Sequence, residues 1–232
     1  MLRNIPTGCE LFDRILGGGF PQGSISLVYG EPETGKTTLA IQCAVHCARQ
    51  GYKTLFIDCD DTFSTKRLSG ITSEDHQKIS ELIILMRPKN FNEQVLVVDQ
   101  LTNYLTRNFG LVVFDTITSL YSEEIAETPD KTFKLNRDLN RLIASLAQTA
   151  KTQKIAILTT SQVRSVFNED YVSIEPVATR VLKFWADTIV AMKLTENSQV
   201  VKAVLEKNQK EAQNFFCHLR IEENGIHEHL TR

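Results

Sequence analysis

Apolar positions fall into short continuous runs that alternate with stretches of helical spacing. Residues 24–29 (SISLVY), 54–58 (TLFID), 82–86 (LIILM), 111–115 (LVVFD) and 155–159 (IAILT) have the length and apolar continuity of buried strands. Between them, residues 36–50 carry Leu39, Ala40, Cys43, Ala44 and Cys47 at helical intervals. Residues 91–106 place Val98, Leu101 and Leu105 on one side of a predicted helix. Leu135, Leu139, Leu142, Ile143, Leu146 and Ala150 outline a long amphipathic helix. Strands without polar alternation are covered on both faces, so the pattern predicts a mostly parallel sheet flanked by helices on both sides. After about residue 185 the pattern changes. Residues 187–194, 200–205, 215–222 and 225–230 follow one another across turn residues such as Glu196-Asn197-Ser198 and Asn224-Gly225. They predict antiparallel strands that extend the same sheet.

At 232 residues, against a soft prior of about 150 per domain, one large α/β domain is the simpler organisation. Hydrophobic residues make up 42%, enough for a core that needs no staple or metal. The longest apolar runs fall far short of the roughly 18 residues of a membrane span. The opening MLRNIPTGCE has no apolar segment of a secretory signal. With 26 basic and 28 acidic residues, the chain is no wholesale polyanion binder, and nucleic-acid contact must come from a local patch. Five cysteines, an odd number, point to reduced thiols and a cytoplasmic setting. Cys43, His46 and Cys47 share a helix face, but free cysteine packs as a small hydrophobe, and no second cluster completes a metal site.

Gly30-Glu31-Pro32-Glu33-Thr34-Gly35-Lys36-Thr37 fits G-x-x-x-x-G-K-[ST] at every fixed position, between a predicted strand and a predicted helix. Such a turn aims backbone N–H groups and a helix N-terminus at a triphosphate, here through residues 30–38, Thr38 included. Lys36 is placed to reach the β- and γ-phosphate oxygens of ATP, and the Thr37 hydroxyl to ligate Mg²⁺. Asp115 closes the run LVVF at the C-terminal edge of the sheet, where the second Mg²⁺ contact belongs. Ser161-Gln162 follows the fifth strand in the same way; its amide suits a γ-phosphate sensor or an ordinary strand end.

With these motifs in view the chain resembles the RecA-type recombinases, most closely the archaeal RadB group of recombinase paralogues. The resemblance is carried by Ile5-Pro6-Thr7-Gly8, by Phe12-Asp13-Arg14-Ile15-Leu16-Gly17-Gly18-Gly19 before the first core strand, by Phe56-Ile57-Asp58-Cys59-Asp60-Asp61-Thr62-Phe63, and by Thr160-Ser161-Gln162-Val163. It implies a RecA-like P-loop NTPase core in which Arg67 stacks on adenine and Lys36, Asp60 and Gln162 are the catalytic set. It also implies a DNA-binding accessory of recombination and repair, with very weak ATPase and no strand exchange of its own. The partners implied are a Holliday-junction resolvase, the main recombinase or a replicative polymerase subunit, with a homo-oligomer as one arrangement. The 29 residues before Gly30 are too few for the helical N-terminal DNA-binding domain of full-length recombinases, and the last strands leave no room for a C-terminal domain. A single core over residues 1–232 is therefore expected. Two positions depart from the pattern: Asp60 stands where the family has a catalytic glutamate, and Ala178-Thr179 where a glycine pair follows the proline.

By the same resemblance, residues 163–173 form the second DNA-contacting loop and residues 123–131 correspond to the first. Arg164, Phe167 and Tyr171 supply a cation and two aromatics for single-stranded or branched DNA. Glu169 and Asp170 oppose that charge, and a solvated loop with core-facing aromatics is the plainer alternative. Trp185 is expected in the core at the start of an apolar strand. The rival class is a KaiC-type regulatory ATPase, which shares the lead-in and places two acids after the second strand, as Asp60-Asp61 do here.

Overall fold

A computed structural model describes residues 4–167, 172–209 and 211–229. In chain order the elements are α1 (Glu10–Ile15), β1 (Ile25–Gly30), α2 (Lys36–Arg49), β2 (Lys53–Asp58), α3 (Thr65–Thr72), α4 (His76–Ser80), β3 (Ile83–Met86), α5 (Phe91–Asp99), α6 (Leu101–Tyr104) and β4 (Phe109–Asp115). They continue as α7 (Ser119–Glu127), α8 (Thr132–Gln153), β5 (Ala156–Ser161), β6 (Val163–Phe167), β7 (Val172–Pro176), α9 (Thr179–Trp185), β8 (Thr188–Leu194), β9 (Val200–Asn208), β10 (Glu211–Glu222) and β11 (Gly225–Glu228).

Nine strands form one sheet in the order β11-β10-β9-β8-β1-β5-β4-β2-β3, and β6 and β7 form a separate hairpin. The strands from β3 to β8 pair in parallel, and β9, β10 and β11 are antiparallel. Both sheet faces are buried, which is why β1, β4 and β5 read as unbroken apolar runs. On one face Phe12, Leu39, Ile41, Val45 and Leu68 of α1, α2 and α3 pack with Val28, Val113, Val201 and Leu219. On the other, Leu139, Leu142, Ile143 and Leu146 of α8 join Phe91, Leu101 and Leu182 over Leu27, Val112 and Ile157. Among the described residues no helix is long and apolar enough to cross a membrane.

The structure corrects the sequence reading in several places. Residues 187–194 were expected as an antiparallel strand; β8 is antiparallel to β9 on one side but pairs in parallel with β1 on the other, with Gly30 opposite Met192. The reason is α9, a crossover helix the apolar pattern does not announce, which returns the chain to the same end of the sheet. The helix expected over residues 91–106 is broken at Gln100 (φ −98°, ψ 1°), where Asn103 N donates to Gln100 O. Val98 and Leu101 stay buried on both sides of the break, so hydrophobic spacing alone cannot reveal it. Trp185 ends α9 instead of opening a strand, and its indole N–H donates to Asn140 Oδ1 at 2.9 Å. Cys43 and Cys47 are fully buried free thiols, with pKa values raised by that burial. No metal-holding cluster exists among the described residues.

Candidate functional site

At the C-terminal edges of β1, β2, β4 and β5 the chain collects its chemistry-bearing residues. Gly30 ends β1 against β8: a Cβ built there would lie 2.2 Å from Met192 O, so only glycine fits. The loop then turns through Glu33 (φ 64°) and Gly35 (φ 84°) into the N-terminus of α2. Thr34 Oγ1 donates to Glu31 O at 2.8 Å and closes the turn. Lys36 donates from Nζ to the carbonyls of Gly30 (2.9 Å) and Glu31 (2.7 Å) and, at 3.4 Å, to Thr34 Oγ1. Burial lowers the pKa of this lysine, opposed by the negative charges of Asp115, Asp60 and Glu31.

Asp115, fully buried, is the point on which hydroxyls converge. Thr160 Oγ1 donates to its Oδ1, and Thr62 Oγ1 lies 3.4 Å from its Oδ2. Burial raises the carboxyl pKa above the ordinary range, against the opposite pull of the Thr160 and Thr37 hydrogen bonds. Thr37 and Asp115, assigned from separate motifs, thus lie near enough for the Thr37 hydroxyl to act on the Asp115 carboxyl.

The acidic segment after β2 is fixed by a residue the sequence reading left out of the site. Asp58, buried, accepts from the backbone N–H groups of Thr62 (2.9 Å) and Phe63 (3.2 Å) and from Arg87 Nε (3.1 Å). Arg87 also pairs with Asp61 at 3.0 Å. A lone arginine after β3 gives no sign of that partner; only the juxtaposition of β2 and β3 supplies it. Asp60 is left half-buried at the mouth, 3.4 Å from Gln162 Nε2. The two residues border a cavity of about 410 Å³ with Ser119, Ser122 and Glu123. Asp60 caps no helix, since α3 is capped by Ser64, whose hydroxyl accepts from Arg67 N at 3.2 Å.

Arg67 lines two adjoining cavities. One, of about 330 Å³, is bordered by Glu33, Gly35, Lys36, Thr37 and Thr38. The other, of about 450 Å³, is bordered by Ser64, Gln199, Glu222 and Glu223. Ile221 of β10 is the other residue common to both. A Cβ at Gly35 would lie 2.9 Å from Ile221 Cδ1, so the last strands wall the cleft. Glu31 is half-buried and Pro32 exposed in the loop between them. The residues fit a nucleoside triphosphate with its Mg²⁺: a backbone cradle with no room for a Cβ, a cation at its base, and a hydroxyl joined to a buried carboxylate.

The DNA-loop expectations fare differently. Residues 123–131 are helical, as the end of α7 and a 3₁₀ turn over Pro129–Lys131. Of residues 163–173, those described are strand, 163–167 in β6 and 172–173 in β7, with Arg164 opposite Glu175 and Phe167 opposite Val172. β-Branched residues at 163, 166, 172 and 174 favour that extended pairing over an open loop. Tyr171 lies outside the described residues. Ala178, where the resemblance expects a glycine, has φ 54° and ψ 39° at the start of α9.

These features define a RecA-like P-loop core. The Rad51 family model matches residues 1–229, and the chain belongs to the Rad51 family. It is 32% identical over 230 residues to the DNA repair and recombination protein RadB of Methanothermobacter thermautotrophicus, covering 97% of this chain and 95% of the relative. It is 30% identical to the protein of that name from Methanosphaera stadtmanae, covering 96% and 94%. A solved structure described as the crystal structure of the RadB recombinase superposes with TM-score 0.81 at 27% identity, covering 97% of this chain and all of that one. Membership of this family favours the recombinase reading over the KaiC-type alternative.

Proposed function

We propose that the chain is an ATP- and DNA-binding accessory of homologous recombination and DNA repair that hydrolyses ATP very slowly and performs no strand exchange of its own. The observation that carries this reading is the convergence of Lys36, Thr37 and Asp115 on one cleft, with Asp60 and Gln162 meeting at its mouth. Lys36 holds the phosphates, Arg67 covers the base, and Thr37 with Asp115 hold Mg²⁺, which when bound neutralises charge on the phosphate oxygens. Asp60 orients the attacking water. Its carboxylate is one methylene shorter than a glutamate, and a displacement on the order of 1 Å slows the step by about 100-fold. The names of the relatives support the repair role.

DNA, single-stranded or branched, is the proposed macromolecular ligand, met by Arg164, Phe167 and Tyr171. A resolvase, the main recombinase or a polymerase subunit is the proposed protein partner, and self-association is compatible with this core. Binding of single-stranded, duplex and branched oligonucleotides, titrated against salt with and without Mg²⁺–ATP, tests the reading. Salt-dependent binding is expected, with a slope about one unit shallower in Arg164→Ala. Absence of DNA binding under all conditions would overturn it.

A further inference from the structure

The base end of the nucleotide cleft closes on a side chain that the proposed function leaves without a role. Beyond Arg67 the cavity is walled by α3 on one side and by the approach to β9 and the end of β10 on the other. Along β10, Cys217, Leu219 and Ile221 turn toward the layer that holds α2 and α3. One rung past the Arg220–Val200 pair, Ile221 N donates to Gln199 O at 2.9 Å. Gln199 therefore stands across from Ile221 and shares its face of the sheet. Its own N–H donates to Asn197 Oδ1 at 3.0 Å, which fixes the backbone where β9 begins.

The facing wall is held close. Arg67 and Gly70, three residues apart on α3, share a helix face. A Cβ at Gly70 would lie 2.5 Å from Glu223 O, so the bare glycine lets the turn after β10 close on the helix. The slot this leaves has Arg67 on one wall, Ile221 on the other and Gln199 at its border. Arg67 and Gln199 are exposed, and neither the guanidinium nor the side-chain amide has a hydrogen-bond partner among the described residues. Lys66, Glu222 and Glu223 stand around the same cavity, and Glu222 is 3.9 Å from Arg220.

We infer that Gln199 determines base specificity, selecting adenine over guanine by reading the N6/N7 edge. A primary amide sets one acceptor beside one donor, which matches the N6 amino group and N7 of adenine. On guanine the same edge presents O6 and N7, both acceptors. The amide then satisfies one of them and sets its own oxygen against the other. A guanidinium stacks on the face of any base, so Arg67 and Ile221 supply affinity without choice, and the choice falls to Gln199. The inference rests on the nucleotide reading of the cleft and adds the residue that reads the base.

The test is calorimetric titration of the full chain, Gln199→Ala and Gln199→Arg with the Mg²⁺ complexes of ATP, 7-deaza-ATP and GTP. The wild-type chain should bind ATP about tenfold or more tighter than GTP, with 7-deaza-ATP, which lacks the N7 acceptor, in between. Gln199→Ala should bind all three about equally, near the wild-type affinity for GTP. Gln199→Arg, whose fork suits O6 and N7 of guanine, should prefer GTP. The wild-type order retained in both variants, or no preference in the wild-type chain, would overturn this inference alone. So would loss of all triphosphate binding in Gln199→Ala, since base choice leaves the phosphate contacts intact. A wild-type chain that binds no triphosphate would overturn it together with the nucleotide reading.

Discussion

Gln162 Nε2 lies 3.4 Å from Asp60 Oδ2, joining the ends of β5 and β2 across the mouth of the nucleotide cleft. The contact couples the shortened carboxylate to a residue two positions before Arg164 on the β6–β7 hairpin. Asp60→Glu should raise single-turnover ATP hydrolysis, by up to about 100-fold if reach alone limits the rate. Asp60→Asn should abolish the residual activity with ATP affinity intact. Because Ser64 caps α3, a stability loss in Asp60→Asn is not expected. Equal hydrolysis in all three proteins would remove Asp60 from the catalytic set.

Lys36→Ala should leave the fold in place and remove most of the stabilisation by Mg²⁺–ATP. A ligand at a hundred times its Kd stabilises by about 2.7 kcal/mol, so the difference is readable as a thermal shift. Equal shifts in wild type and variant would refute phosphate contact by Lys36.

Asp115 carries a pH signature. Burial raises its folded pKa, against hydrogen bonds from Thr160 and Thr37. An acid whose folded pKa exceeds its unfolded value binds more protons when folded, so stability falls as pH rises through the interval between the two values. Above that interval the buried carboxylate opposes folding. Asp115→Asn should therefore raise Tm at neutral pH, by about 2–4 °C per kcal/mol regained, while weakening Mg²⁺–ATP binding. Denaturation between pH 4 and 8 checks it; a neutral-pH Tm below wild type would contradict the assignment.

Arg87→Ala removes the side-chain cation from the buried carboxylate of Asp58. The guanidinium is half-exposed, so the loss should be modest, about 1–2 kcal/mol in urea denaturation. It should also slow hydrolysis by loosening the segment that holds Asp60. A change in stability with wild-type turnover would separate the two roles.

The parallel core was legible because buried strands announce themselves as apolar runs, and the P-loop because its glycines answer to geometry: Gly30 abuts Met192 O and Gly35 adopts φ 84°. The sequence pattern put Thr37 and Asp115 at one sheet edge for the same reason, one in the helix that follows β1 and the other ending β4. Direction and partnership were not. Nothing in residues 187–194 distinguishes a parallel from an antiparallel strand, and nothing near Arg87 names Asp58 as its partner. Ile221 was out of reach because it joins the cleft only through the order of β8 to β10 in the sheet. Ala178 shows the opposite case. The sequence marked a missing glycine, and the backbone there does adopt the left-handed conformation that glycine favours.

Ile221 and Ile226 close against Gly35 from almost two hundred residues further along the chain. During synthesis the phosphate loop leaves the ribosome almost two hundred residues ahead of the wall behind it. Both walls of the cleft are therefore in place only after β10 and β11 have joined the sheet, and contacts so distant in sequence form slowly. A ribosome-stalled or C-terminally clipped chain would carry every residue of the G-x-x-x-x-G-K-T motif and still lack one side of the cleft.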